Sequence, residues 1–351
     1  LQGEPFVFRL TKTNSRGSMH KPQSHISRRA FVLGGLAATV AGPSFGATSR
    51  REDLIDFPLI DNHSHLIPKS LTRRYGSDPE DIIKAMDAAG IKRMVLVGFG
   101  DEIPELPKRY PGRFVAAYIR YNFRWRQDRR FRRIIPPEQM IVDGSTPQEV
   151  DAISAEFEDA LSTGLYNALG EVTTIANPIH KGRQQAPFPG SNVSPDSPLV
   201  LRLMELAAKF DLPINIHCEA AAADEMVQAV SKRRKARVIW AHTGSYLDPT
   251  RIASLLEEHP NLDFDLSSKN RLYQQRSGSF LSFGKLAQSW RQLFEQFPDR
   301  FYFGVDFLLP DHWRQASAIG EYAYSILEQL TPPTARKIGY ANAVRSYRLD
   351  P

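Results

Sequence analysis

His63 and His65 close a β-rich run, FPLIDNHSH (57–65), and their spacing carries chemical meaning. On a strand, residues i and i+2 point to the same side, so both imidazoles can reach one ion. Four more metal-competent side chains end later apolar runs: Glu171 in GEV, His217 in INIH, His242 in IWAHTG and Asp306 in GVDF. Neutral imidazole suits zinc, iron, nickel and manganese, and carboxylate adds hard-ligand character. A catalytic ion keeps an open position for water, whose pKa falls to about 7 on zinc. Taken singly these residues say little. A lone H-x-H is commonly surface or core, and a lone Asp is commonly a helix cap. The set gains meaning because every member stands at the same end of its strand.

The elements that must position them alternate. Strand-like runs at 57–65, 92–100, 113–122, 166–174, 212–220, 236–244, 261–268 and 300–308 are separated by helical spacing at 78–90, 146–164, 197–211, 224–235, 249–260 and 285–299. A helix at 315–330 follows, and residues 332–347 close the chain. Repeated strand–helix units predict parallel strands with right-handed crossovers. Eight of them over about 290 residues favour an α/β fold of the (β/α)₈ TIM-barrel type, whose active site gathers at the strand C-termini. A doubly wound open sheet is the rival, but no Gly-rich phosphate loop follows the first strand.

With these motifs in order, the chain resembles the amidohydrolase superfamily, in particular its amidohydrolase 2 group. The resemblance rests on DNHSH, GEV, INIH, IWAHTG and GVDF and covers roughly residues 57–347. It implies that His63, His65 and Asp306 bind a first metal and that His217 and His242 bind a second. Glu171 would bridge the two, and Asp306 would also move the proton of the attacking water. It implies a divalent metal, zinc above all, as one or two ions, with Mn²⁺, Fe²⁺ or Ni²⁺ as alternatives. Some members with similar motifs use one metal and catalyse decarboxylation, with the strand-six histidine, here His242, as acid or base.

Three long loops follow strands three, four and seven. Residues 120–133 hold seven arginines among Tyr121, Phe123, Trp125 and Phe131. Guanidinium suits carboxylate and phosphate, so Arg120 is a candidate for binding an anionic small molecule; a solvated face or a contact with a second copy is the other reading. The loop at 175–198 is long enough to be a lid. Past strand seven, Lys269 and Arg271 could hold a substrate carboxylate. His312 is expected to be exposed, and Cys218 to point away from His217.

Of 351 residues, 42% are hydrophobic and 24% charged, enough apolar material for a sizeable core. The formal charge of +6 invites a nucleic-acid reading, but the first 47 residues carry a net +5. A near-neutral body offers no footprint for phosphates, so no nucleic acid is expected. One cysteine excludes an intramolecular disulfide. Residues 19–47 contain SRRAFV, a short Gly/Ala-rich apolar run and small residues, which resembles a twin-arginine signal peptide. Residues 1–18 read as an upstream extension or cloning scar, and 48–351 as the barrel. Export to the periplasm through the twin-arginine machinery follows, without stable membrane insertion, because the apolar run is about half a membrane span. Three functions remain in play: a hydrolase of an ester, lactone or amide, a mononuclear decarboxylase of an aromatic or unsaturated acid, and a non-catalytic metal-binding exported barrel.

Overall fold

Eight apolar stretches pair in parallel and in chain order: β1 (Leu59–Leu66), β2 (Ile91–Gly98), β3 (Phe114–Tyr118), β4 (Ala168–Thr173), β5 (Pro213–His217), β6 (Arg237–Trp240), β7 (Leu262–Asp265) and β8 (Phe301–Tyr302). The structure, a computed structural model, describes residues 55–69, 76–98, 102–119, 146–176, 191–269 and 279–350. All eight residues of β1 and all six of β4 are buried. Burial on both faces, rather than alternation, is what a parallel sheet wrapped in helices produces.

Closure between β8 and β1 combines backbone and side-chain bonds. Backbone bonds run from Asn62 N–H to Phe303 O (2.9 Å), from His65 N–H to Phe307 O (2.6 Å) and from Asp306 N–H to His63 O (2.6 Å). Between them the Asp61 carboxylate accepts Val305 N–H at 3.0 Å and the Ser64 hydroxyl accepts Phe307 N–H at 3.1 Å. Those two donors are therefore lost to a regular ladder. This explains why β8 spans two residues and not the predicted 300–308. The result is a (β/α)₈ barrel, as the alternation predicts.

The helices α1 (Pro79–Ala89), α2 (Leu106–Arg109), α3 (Pro147–Ser162), α4 (Pro198–Lys209), α5 (Ala223–Lys232), α6 (Pro249–Glu258), α7 (Gln288–Gln296) and α8 (Ala316–Leu327) surround the strands. Their starts are written locally. Thr146 and Glu149 form a reciprocal capping box on α3, and Asp248 accepts the N–H groups of Thr250 and Arg251 at the start of α6. Each such cap satisfies donors that the first helical turn leaves orphaned, at about 1 kcal/mol apiece. On α4 the stripe Leu199, Val200, Leu203, Met204, Leu206 and Ala207 is buried against the barrel. At roughly 1.5–3 kcal/mol per large apolar side chain, such stripes hold helix to sheet.

One further boundary differs from expectation. Residues Lys285–Leu286, predicted as the start of a helix, pair instead with Leu281–Ser282 in a two-stranded ribbon, and α7 begins at Gln288. Residues 332–347 form the helices Pro332–Arg336 and Asn342–Tyr347, joined by a π-type turn, Lys337–Ala341, whose Ile338 carbonyl accepts Phe303 N–H. The signal-like segment 19–47, the upstream residues 1–18, the arginine-rich loop with Arg120, and Arg271 lie outside the described residues. Among those described, no helix is long and apolar enough to cross a membrane.

Candidate metal centre

The six metal-competent side chains meet inside the C-terminal mouth of the barrel. His63 Nε2 lies 3.2 Å from His65 Nε2, and His65 Nε2 lies 3.2 Å from Asp306 Oδ1. On the other side, His242 Nε2 lies 3.0 Å from His217 Nδ1. Glu171 stands between these halves. Its Oε2 is 3.6 Å from His63 Nε2 and 3.4 Å from His65 Nε2, while Oε1 is 3.0 Å from His217 Nδ1 and 3.1 Å from His242 Nε2. Three overlapping groups of possible ligands result among the described residues: His63–His65–Asp306, Glu171–His217–His242 and His63–His242–Asp265.

Local structure explains how they get there. His63 and His65 share one face of β1, as their spacing demands. His217 ends β5. His242 lies just past β6, in a left-handed turn with φ of 60° at His242 and 52° at Thr243. A non-glycine residue there costs on the order of 1–2 kcal/mol. His242 N–H donates to the Asp265 carboxylate at 2.8 Å, which helps hold the turn. Asp306 also has positive φ, 58°, and its Oδ2 accepts the Ser268 hydroxyl at 2.5 Å.

Asp265, at the end of β7, is the residue that motif reading misses. It is fully buried and accepts from His63 Nδ1 (2.9 Å), Asn215 Nδ2 (2.9 Å), His242 N–H and Ser267 N–H (3.0 Å), and from the Ser267 hydroxyl. The Ser267 oxygen in turn lies 2.7 Å from His242 Nδ1 and 3.2 Å from His63 Nδ1. The available sequence signal is a carboxylate closing the seventh apolar run, as carboxylates close the fourth and eighth. Glu219, two residues beyond His217, places Oε1 3.4 Å from His217 Nε2.

The electrostatics follow from burial of opposite charges. Burial works against a charged His63, yet the Glu171 and Asp265 carboxylates override it and hold the ring's pKa well above the usual value. Burial would raise Glu171, but His63, His217 and His242 bring it well below the carboxylate range. Asp306 is likewise depressed against burial, by His65 and then by His242 and His63. His217 is pushed up to about 10 despite burial, through Glu171 and Glu219. A pocket with this field favours positive charge, and its donors are imidazole nitrogens and carboxylate oxygens facing one another. That donor set fits a divalent cation of the zinc or manganese type.

The substrate-facing candidates are placed differently. Lys269 is buried; its Nζ donates to Ser245 O at 2.6 Å and sits 5.7 Å and 5.9 Å from the Trp290 and Phe280 ring centres. Burial lowers its pKa to about 8, with Glu219 acting in the opposite sense. His312 is half-buried rather than exposed, because its Nδ1 accepts Leu308 and Leu309 N–H at 3.2 and 3.4 Å and caps the short helix Pro310–Trp313. Cys218 is buried, its thiol held against the carbonyls of Glu219 and Ala222 and pushed up to about 12 by burial.

Fold and site together define a (β/α)₈ barrel with a buried histidine–carboxylate group able to hold a divalent metal at its C-terminal mouth. A family model described as Amidohydrolase matches residues 60–349, and the chain belongs to that family. No curated protein matches the chain. Solved structures similar to it include 2,6-dihydroxybenzoate decarboxylase in complex with 2,6-dihydroxybenzoate (15% identity, 84% of this chain and 99% of that one, TM-score 0.52). Two others are provisionally assigned as 2-pyrone-4,6-dicarboxylic acid hydrolases. The one from Acinetobacter baumannii, with citric acid bound, has 14% identity over 84% of this chain and 100% of its own, with TM-score 0.52. The one from Pseudomonas putida has 14% identity over 84% and 99%, with TM-score 0.55. At this identity the likeness concerns the fold.

Proposed function

We propose that the chain is a metal-dependent hydrolase that cleaves an ester, lactone or amide bond of a small molecule with water as nucleophile. The observation that carries this is the position of Glu171, whose two oxygens face different ligand groups, Oε2 toward His63 and His65 and Oε1 toward His217 and His242. A carboxylate so placed would suit a pair of divalent cations, which repel one another and need a negative charge between them. His63, His65 and Asp306 would hold the first ion and His217 with His242 the second. Bound divalent ions would supply Lewis acidity and make water a nucleophile near neutral pH.

The remaining chemistry belongs to the chain. Asp306 keeps Oδ1 beside His65 and anchors Oδ2 on Ser268, so its carboxylate is oriented into the pocket. Held ionised by the surrounding imidazoles, it accepts the proton that water loses and returns it to the leaving group. Such a proton relay contributes about 10²–10⁴-fold.

Metal analysis of the purified protein by mass spectrometry, run beside a lactone, ester and amide panel, tests the reading. Two equivalents per chain with turnover on the panel support it. One equivalent with carbon dioxide released from an aromatic acid would replace it with the decarboxylase. Metal without turnover on either set leaves the non-catalytic barrel.

A further inference from the structure

We infer that Ser267 is a positioning residue that fixes the tautomer of His242, so that this ring turns a lone pair and not a proton toward the centre of the site. The inference deepens the metal-centre reading and rests on it for its functional meaning. The proton count itself comes from geometry. Asp265 is reached by three groups that can only donate: His242 N–H (2.8 Å), Ser267 N–H (3.0 Å) and the Asn215 amide (2.9 Å). It therefore acts as an acceptor, as an ionised carboxylate does. The Ser267 hydroxyl sits in a short contact with Asp265 Oδ1, so its single proton must lie between them.

That leaves the Ser267 oxygen with lone pairs only. His242 Nδ1, 2.7 Å away, must then carry the hydrogen of that bond. By the same count His63 Nδ1, 2.9 Å from Asp265 Oδ2, carries its own. In the neutral rings, Nε2 is then unprotonated in both. His63 Nε2 faces His65 and Glu171, and His242 Nε2 faces Glu171 and His217. One carboxylate at the end of β7 and one hydroxyl just beyond it thus set two rings delivered by β1 and by the turn after β6. A ring fixed this way enters as a ligand or proton acceptor. It does not start the reaction as a proton donor; the proton returned to the leaving group is the one Asp306 has first accepted from water. Outer partners of this kind are expected to matter for affinity, because they fix ring orientation and raise ligand basicity.

The test uses the full chain loaded with zinc. Nitrogen-15 NMR of histidine-labelled protein reads which ring nitrogen bears the proton. The expected result is a proton on Nδ1 of His242; a proton on Nε2 overturns the inference. In parallel, S267A is expected to lose about 10–100-fold in affinity for one zinc equivalent by chelator competition. Unchanged affinity in a folded S267A also overturns it. If S267A does not fold, the wild-type spectrum decides. If the wild type binds a single ion, the hydrolase reading fails, while the same spectrum still supports or overturns the role of Ser267.

Discussion

At the scale of single residues, the site is a set of buried charges that stabilise one another. Asp306 is the member with a proton to move. Replacement by Asn keeps the size and one oxygen while removing the base. D306N is expected to lose about 10²–10⁴-fold in turnover while most of its metal remains; wild-type turnover in D306N would reject the assigned role. The imidazoles make a second prediction, about pH. His217 has a folded pKa of about 10 against a usual value of 6.5, raised by Glu171 and Glu219 in spite of burial. A raised value means that its contribution to stability is complete below pH 6.5 and is lost as pH climbs toward 10. Protein stripped with a chelator should therefore unfold at lower temperature at pH 9 than at pH 6. Metal uptake requires neutral rings and should strengthen over the same window, with protons released on binding. A flat thermal midpoint across that range in the stripped protein would contradict the electrostatic picture.

At the scale of elements, what matters is how closely two strands can approach. Glu171 follows Gly170 on β4, and Gly170 has φ of 109°. A Cβ built there would fall 2.3 Å from Asn215 O on β5 and 3.0 Å from Val172 N. Backbone on both sides leaves no flexible neighbour to yield, and the φ itself disfavours any side chain. G170A should destabilise the barrel by about 2 kcal/mol or more, read by denaturant unfolding. Because the displaced segment carries the Glu171 carboxylate, metal affinity should fall with it. The loops that complete the mouth obey the same logic from the other direction. His242 sits in left-handed backbone held by Asp265, and the 303–307 segment is fastened by Asp61 and Ser64.

At the scale of the whole molecule, the two ends of the barrel have separate duties. The C-terminal end gathers the ligands, and the opposite end is tied by the last helix. There Asn342 Nδ2 donates to the carbonyls of Pro298 and Phe301, both at 2.8 Å, just where β8 begins. N342A would leave these carbonyls without that donor in buried surroundings. The cost of orphaning buried polar groups is about 1–3 kcal/mol, so its thermal midpoint should drop by several degrees while the metal stoichiometry of the folded fraction is kept. Loss of metal in fully folded N342A would show that closure and site are more tightly linked than the structure implies.

The sequence by itself determined the architecture and the metal-competent residues. Apolar runs alternating with stretches of 3.6-residue period are local signals that need no partner to be read. So is H-x-H, because strand geometry alone puts His63 and His65 on one side. The tertiary structure decided the rest. Asp265 carries only the signal of a carboxylate ending an apolar run and Ser267 carries none, since their importance arises only when β7 stands beside β6 and the closed barrel brings β1 within hydrogen-bonding reach. The shortness of β8 has the same origin, because Asp61 and Ser64 compete for its donors from a strand more than 200 residues earlier. Periodicity is a property of neighbours in the chain, whereas proton sharing among His63, Asp265, Ser267 and His242 is a property of neighbours in space.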